Sequence, residues 1–287
     1  MVKFLKPSRP SAKHGLAYRL GWWIGRLIIW FVVGSFALTL FYKFVPVPVT
    51  LTMVMDPNGI TKDWEPLSRI DRDMVAAVIA GEDAKFCEHS GFDSEAIEKA
   101  IERNARGGRI RGGSTISQQT AKNVFLWQGG GYFRKGMEAW FTVLIENIWG
   151  KRRIMEVYLN VAETGVGTYG VAAGAQRYYK HSAARLTRVE AARIAAALPA
   201  PKRRAVNGAT GFTRRHGNAI AARSGVVRNE ALDACVYKSA PRPNEKGRST
   251  AAPLPNSFGS NRSDQNLKTA VALIVRGAPI WTKPGLP

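Results

Sequence analysis

An uncharged apolar stretch from Leu27 to Tyr42 follows a basic N-terminus, and this arrangement limits most strongly how the chain can be organised. The first twenty residues contain no acid and five basic side chains: Lys3, Lys6, Arg9, Lys13 and Arg19. An apolar run of this length rises only about 24 Å as a helix, short of the roughly 30 Å hydrocarbon core of a bilayer. We therefore expect the membrane span to begin at Gly21, with Arg26 extending toward the interface.

The flanks of this span favour an uncleaved anchor over a cleavable signal peptide. Trp22 and Trp23 fit an aromatic belt at one interface, and Tyr42 fits the other. A signal peptide is the alternative, but the run is long and aromatic and lacks a small-x-small cleavage site at its end. Because basic flanks stay in the cytoplasm, the chain after residue 45 is predicted to lie outside it.

Composition sets the class of protein and its partners. The chain has 287 residues, 45% of them hydrophobic, so it can bury a core and is not wholly disordered. Its formal charge of +21 indicates a protein that acts on polyanions or at an anionic membrane. Cys87 and Cys235 form no C-x-x-C motif, which argues against zinc or thioredoxin chemistry. Two free thiols are favoured, with a single disulfide as the alternative.

The pattern beyond the anchor predicts one mainly α-helical domain. Residues 71–199 show helical apolar spacing. Ser94 is predicted to cap one helix, and the capping box Thr187–Glu190 is predicted to open another. Residues 45–52 alternate prolines with β-branched residues, which is typical of an extended linker or edge strand. The predicted order is a basic segment (1–20), an anchor (21–43), a linker (44–70), a catalytic domain (71–235) and a partly disordered tail (236–287).

Glu82 is the first candidate for chemistry. It follows Val75 and Val78 at helical spacing and so lies on the apolar face of its own helix. A carboxylate there loses hydration, which raises its pKa and suits it to proton transfer near neutral pH. The alternative is a helix-end acid that pairs with Lys85 or an arginine.

Residues 112–123 form a second candidate for the site, in which a glycine turn leads into a predicted helix. Ser114 is predicted to cap the helix, and Gln118 and Lys122 then follow on one face. A helix N-terminus favours a bound anion, although an ordinary capped helix explains the pattern equally well. The spacing does not match a P-loop, so nucleotide hydrolysis is not supported.

Arg134 and Lys135 lie in the first turn of the next helix, where cations oppose the helix dipole. A bound phosphate would compensate them, and a solvated basic helix start is the alternative. The preceding segment Leu126–Phe133 carries aromatic residues around Gly129–Gly131. It is interpreted either as a core loop or as a flap that dips into the membrane interface.

Four ordered motifs together resemble the monofunctional peptidoglycan glycosyltransferases. The first, Glu-Asp-x-x-Phe-x-x-His-x-Gly-x-Asp, runs from Glu82 to Asp93, and the second, Gly-Gly-Ser-Thr-Ile-Ser-Gln-Gln, runs from Gly112 to Gln119. The third, Arg-Lys-x-x-Glu, starts at Arg134, and the fourth, Arg-Ile-x-Glu-x-Tyr-Leu-Asn, starts at Arg153. The resemblance covers about residues 45–205. Many members carry a basic residue where this chain has Gly129–Gly131. If that cation helps to hold a phosphate, either Arg134 and Lys135 suffice here or the donor site is weaker.

The resemblance implies a lysozyme-like, mainly α-helical catalytic domain with a small membrane-facing lobe behind one transmembrane helix. It implies polymerisation of lipid II into glycan strands by inverting transfer, with release of undecaprenyl diphosphate. The enzyme would then lie in the bacterial inner membrane with its catalytic domain in the periplasm. Its partners would be lipid II, the growing glycan, the membrane and cell-wall synthesis proteins. Nucleic acid is not an expected partner.

The same resemblance assigns roles to residues. Glu82 is implied as the base that deprotonates the acceptor 4-hydroxyl, and Glu138 as the acid that orients cations or helps to hold a divalent metal (Mg or Mn). The implied substrate-binding residues are Asp83, Ser114, Gln118, Lys122, Asn123, Arg134 and Lys135. His89 belongs to no metal-spaced cluster and is interpreted as structural.

The sequence leaves two alternative functions to be weighed against this one. A lysozyme-like lytic enzyme would share the single glutamate but would not need the cations. A basic lipid-binding membrane protein would not explain the ordered motifs. A fused transpeptidase is excluded, because the chain has neither Ser-x-x-Lys nor Lys-Thr-Gly.

Overall fold

The structure, a computed structural model, describes residues 15–105 and 113–237, without the side chains of 103–105. The chain divides into two compact units, Met1–Phe44 and Val45–Pro287. Most of the predicted basic segment, most of the glycine-rich stretch around residue 110, and the predicted tail from residue 238 lie outside the described residues.

The first unit is described as one helix, α1 (Leu16–Phe44). Its 29 residues contain the whole predicted span and are long and apolar enough to cross a membrane. The predicted apolar N-terminal helix is therefore confirmed, although it begins before Gly21.

The second unit is mainly helical, as predicted. Its helices are α2 (Leu51–Val54), α3 (Arg72–Glu82), α4 (Ser94–Ala105), α5 (Ile116–Phe125), α6 (Gly131–Ile148), α7 (Lys151–Val161), α8 (Val171–Tyr179), α9 (Arg188–Ala197) and α10 (Gly211–Asn229). Two 3-10 turns, Leu67–Arg69 and Ala183–Arg185, complete the helical elements of the described residues.

Helix α3 lies at the centre of the domain. Every residue from Met74 to Ala80 is buried, because the helix is apolar on all sides and packs against both α9 and α10. Its last residue is Glu82. The sequence therefore fixes the candidate base at the end of a fully packed helix.

A second helical group forms around α5, which packs against α6 and α7. Phe125 of α5 stacks on Phe141 of α6, with ring centroids 4.3 Å apart. This packing fixes α5 relative to α6, and these two helices carry the predicted cationic residues.

A small sheet packs against α8. Its strands are β1 (Thr61–Lys62), β2 (Glu163–Gly165) and β3 (Thr168–Tyr169), in the order β1-β3-β2. Strand β1 pairs parallel to β3, and β2 pairs antiparallel to it. In the segment predicted to be a linker, Met53 and Leu67 are buried within this unit.

Three local predictions are corrected. The Thr50 hydroxyl caps the short helix α2, so Leu51 and Thr52 are helical rather than extended. Thr115, not Ser114, caps α5. The Asp93 carboxylate accepts the Ala96 N–H at 2.9 Å, so the cap of α4 precedes the predicted Ser94.

The favoured prediction of free thiols is wrong. Cys87 and Cys235 form a disulfide, with their Cα atoms 5.4 Å apart. The sequence separation of 148 residues hid this proximity, because the tertiary fold alone brings the two positions together. The predicted capping box Thr187–Glu190 at the start of α9 is confirmed.

Candidate active site

The carboxylate of Glu82 is held at the end of α3 by a single hydrogen bond. Gln119 Nε2 of α5 donates to Glu82 Oε2 at 3.0 Å, while Glu82 Oε1 is buried with no hydrogen-bond partner in the described part of the chain. Burial raises the pKa of Glu82, against the smaller opposing effects of the Gln119 hydrogen bond and the Arg204 charge. A carboxylate with one free oxygen and a raised pKa is suited to accept a proton.

The alternative of a structural ion pair for Glu82 is not supported. The Lys85 ammonium pairs with Glu95 instead. No salt bridge to Glu82 occurs within residues 15–105 and 113–237. Glu82 lines a cavity of about 290 Å³ that Asp83, Ser114 and Thr115 also line.

Gln119 is a site residue that sequence reasoning missed. Besides its bond to Glu82, its Oε1 accepts from the buried Tyr158 hydroxyl of α7 at 3.4 Å. Desolvation raises the pKa of Tyr158 well above its usual range, so the phenol stays protonated and donates. Its position one helical turn before Lys122 and Asn123 is the signal that could have identified Gln119.

Asp83 lies in the site but is occupied by structural contacts. His89 Nδ1 accepts the Gly91 N–H at 3.2 Å, which leaves Nε2 protonated to donate to Asp83 Oδ1 at 2.9 Å. The Ile116 N–H donates to Asp83 Oδ2 at 3.0 Å. Asp83 therefore joins the loop after Glu82 to the first residue of α5, and the structural interpretation of His89 agrees with this geometry.

Ser114 lies at the cavity beside Glu82, whereas Gln118 caps a helix. Ser114 lines the Glu82 cavity, and Lys135 Nζ lies 3.5 Å from its hydroxyl oxygen. The Gln118 side chain is buried and accepts the Thr115 N–H at 3.0 Å in a capping box. The structure gives Gln118 a capping role, and its place among the substrate-binding residues stays a prediction.

Arg134 and Lys135 of α6 share one buried carboxylate. Arg134 Nη1 donates to Glu138 Oε2 at 2.9 Å, and Lys135 Nζ pairs with Glu138 Oε1. Glu138 is only 2% exposed, so its buried carboxylate compensates the two cations at the start of α6 without a bound phosphate. The Arg134 Nε remains buried and unpaired in the described residues, which leaves a donor for a ligand.

Lys122 adds a third positive charge to this cluster. Burial lowers its pKa, the Glu138 charge opposes this, and the nearby Arg134 and Lys135 charges lower it further. No hydrogen bond or ion pair to its ammonium occurs within the described ranges. A bound anion would supply the missing partner.

Lys122 and Asn123 line the larger cavity, an open cleft of about 520 Å³. Gln119 and Tyr158 also line it, together with a polar group formed by Asp56, Tyr169 and Lys202. In that group, Asp56 Oδ2 accepts from the Tyr169 hydroxyl at 2.6 Å and from Lys202 Nζ at 2.9 Å. These contacts hold the pKa of Asp56 well below its usual range, and the sequence did not single them out.

A divalent cation beside Glu138 does not fit these residues. Both Glu138 oxygens are engaged by Arg134 and Lys135. No group of three His, Cys, Asp or Glu side chains that could hold a metal ion occurs in the described part of the molecule. The charge that would balance a phosphate at this place is supplied by side chains.

The loop before α6 is shorter than the predicted segment Leu126–Phe133. Leu126 is fully buried, and α6 already begins at Gly131, so Tyr132 and Phe133 are helical. Gly129 to Gly131 all have positive φ values, between 58° and 91°, which explains the glycines by conformation rather than by a hinge. Tyr132 and Phe133 are 60% and 73% exposed.

Comparison with known proteins identifies the family of this chain. Residues 50–225, more than half of the chain, match the family model described as Transglycosylase. A Caulobacter vibrioides protein named "Biosynthetic peptidoglycan transglycosylase" is 50% identical over 213 residues, which cover 73% of this chain and 93% of the relative. Two further proteins of the same name are similar. The one from Bdellovibrio bacteriovorus is 49% identical over 212 residues, which cover 69% of this chain and 85% of the relative. The one from Pseudomonas putida F1 is 50% identical over 187 residues, which cover 62% of this chain and 79% of the relative. The chain belongs to the transglycosylase family.

Proposed function

We propose that this protein polymerises peptidoglycan glycan strands from lipid II. The growing strand is the donor, and the 4-hydroxyl of an incoming lipid II is the acceptor. The transfer inverts the anomeric carbon and releases undecaprenyl diphosphate. The observation that carries the proposal is the buried, singly hydrogen-bonded Glu82 carboxylate close to three cations, of which two pair with Glu138 and the third, Lys122, is left for a ligand.

Glu82 acts as the general base. Its unpaired Oε1 removes the proton from the acceptor hydroxyl as that oxygen attacks the donor's anomeric carbon. The bond from that carbon to the diphosphate oxygen breaks, and the diphosphate keeps the electron pair. Gln119, which bonds the other Glu82 oxygen, holds the carboxylate in position, and Tyr158 in turn holds Gln119.

Lys122, Arg134 and Lys135 stabilise the diphosphate as it leaves. Charges placed in advance where negative charge develops are among the largest contributions to catalysis. Glu138 orients Arg134 and Lys135 and does not bind substrate directly. Three cations against one acid leave positive charge for the phosphates.

The remaining predicted binding residues divide into two groups. Ser114 and Asn123 line the two cavities and contact sugar or phosphate oxygens. Asp83 and Gln118 position the site through the loop after Glu82 and the cap of α5. The polar group around Asp56 and Lys202 also lines the larger cleft.

The location of the protein follows from the substrate. A single-pass anchor, α1, keeps the domain beside its lipid-linked substrate, with the domain on the periplasmic side of the inner membrane. The disulfide between Cys87 and Cys235 supports an oxidising compartment outside the cytoplasm. Cell-wall synthesis proteins are the partners expected there.

One assay tests the proposal. The full chain is purified in detergent, incubated with labelled lipid II, and the products are separated on a gel. A ladder of glycan polymers supports the proposal. No polymer, together with shortening of preformed glycan, would favour a lytic enzyme instead.

A further inference from the structure

The loop that follows Glu82 is joined to a segment outside the family match. Residues 83–93 connect α3 to α4, and Cys87 lies near the middle of this loop. Its disulfide partner Cys235 follows α10, ten residues beyond the last position matched by the family model. We call residues 230–237 the C-terminal clasp.

The clasp is firmly anchored to the body of the domain. Arg72, the first residue of α3, donates two hydrogen bonds of 2.7 Å to the fully buried Asp233. The Arg72 guanidinium also lies 5.0 Å from the Tyr237 ring centroid. Arg152 of α7 donates to the Val236 carbonyl at 3.0 Å. The clasp is therefore a fixed point to which Cys235 can tether the loop.

The loop in turn positions the site. Gly91 accepts the Thr115 hydroxyl at its carbonyl (2.7 Å) and donates its N–H to His89. His89 bonds Asp83, which directly follows Glu82 and holds the first N–H of α5. A displacement of the loop would therefore move Glu82 relative to Gln119, its only hydrogen-bond partner in the described structure.

We propose that the Cys87–Cys235 disulfide is a positioning device for the catalytic loop, which fixes Glu82 against Gln119 through the clasp. The inference rests on the proposed role of Glu82. It goes beyond that role because it makes the activity depend on the oxidation state of two cysteines that act only through the loop.

The test compares three forms of the full chain in detergent: oxidised wild type, wild type reduced with dithiothreitol, and Cys87→Ser/Cys235→Ser. Glycan polymerisation is measured well below each form's unfolding midpoint, with folding checked by circular dichroism. Reduction or the double substitution should lower kcat about tenfold, since small misplacements of catalytic groups are costly, and leave KM within about twofold. Re-oxidised wild type should recover, and dithiothreitol should not affect the double variant.

Thr187→Ala is the matched control. It removes the capping box at the start of α9 but leaves the disulfide, the clasp and the loop in place, so it should lower the unfolding midpoint and keep kcat within about twofold. A similar loss of kcat in this control and in the double cysteine variant would mean general destabilisation and would overturn the inference. Wild-type kcat in the folded double variant would overturn it as well.

Hydrogen exchange gives a readout that does not depend on activity. The Gly91 and Ile116 amides, which donate to His89 and Asp83, should exchange faster in the double cysteine variant than in Thr187→Ala. Unchanged protection of both amides would contradict the positioning role. An oxidised wild type that makes no polymer, or an active Glu82→Gln variant, would instead count against the proposed function.

Discussion

Gln119 Nε2 donates a 3.0 Å hydrogen bond to one oxygen of Glu82, and the other carboxylate oxygen is buried without a partner. The first oxygen fixes the direction of the carboxylate, while the second is left to take a proton. The same geometry has a cost in stability, because a charged oxygen without hydrogen bonds is poorly solvated. Activity and stability should therefore respond in opposite directions when Glu82 is neutralised.

The pH dependence of stability tests this cost. Burial raises the pKa of Glu82 above its ordinary value of 4.5, so the folded protein holds this proton more tightly than the unfolded chain. The free energy of unfolding then falls as the pH rises from 4.5 through the raised pKa. Glu82→Gln should unfold at a higher temperature than wild type at neutral pH, with the difference vanishing below pH 4.5. A less stable variant at neutral pH would contradict the assigned burial.

Lys122 is expected to act on the leaving group. Lys122→Met removes a buried positive charge next to Arg134 and Lys135, and kcat should fall by about 10²–10³, the usual effect of losing one charge-stabilising group. Arg215→Met, on the exposed surface of α10, is the control and should keep wild-type kcat. Equal effects of both substitutions would point to net charge rather than to a site.

The side of the membrane follows from the basic N-terminus. A reporter that is active only outside the cytoplasm, fused after Ile60, should be active in cells, because α1 carries the chain across. A cytoplasm-only reporter at the same position should be inactive. The reverse pattern would overturn both the orientation and access to a periplasmic substrate.

The exposed start of α6 is expected to contact the membrane interface. Tyr132→Glu with Phe133→Glu places charges on two exposed aromatic positions, so binding of residues 45–287 to liposomes should weaken while the fold is kept. Phe212→Glu, also exposed but on α10, is the matched control and should bind as wild type does. Unchanged liposome binding by the double variant would remove the interfacial role.

The apolar pattern was enough to predict the fold class and the position of Glu82. Val75 and Val78 identify the buried face of α3, and a helix that is apolar on all sides must lie in the core. Lys122, Arg134 and Lys135 were found through motif spacing, which follows the helix period. These signals come from residues close in sequence, whose relative positions are set by the helix itself.

Contacts distant in sequence could not be predicted in the same way. Cys87 and Cys235 are 148 residues apart, and no periodicity relates them. Gln118 and Gln119 have the same side chain and are adjacent, yet one caps α5 and the other holds Glu82. Which amide faces the site depends on the rotation of α5 against α6 and α7, and only packing determines that rotation.

The most direct measurement is polymerisation of labelled lipid II by the full chain in detergent, comparing wild type, Glu82→Gln and the control Glu88→Gln. Glu88 is an exposed acid in the same loop, so its substitution should leave the glycan ladder unchanged. Glu82→Gln should remain folded and lose the ladder by at least about 10²-fold, as expected for removal of a general base. A Glu82→Gln protein that polymerises as fast as Glu88→Gln would contradict the account.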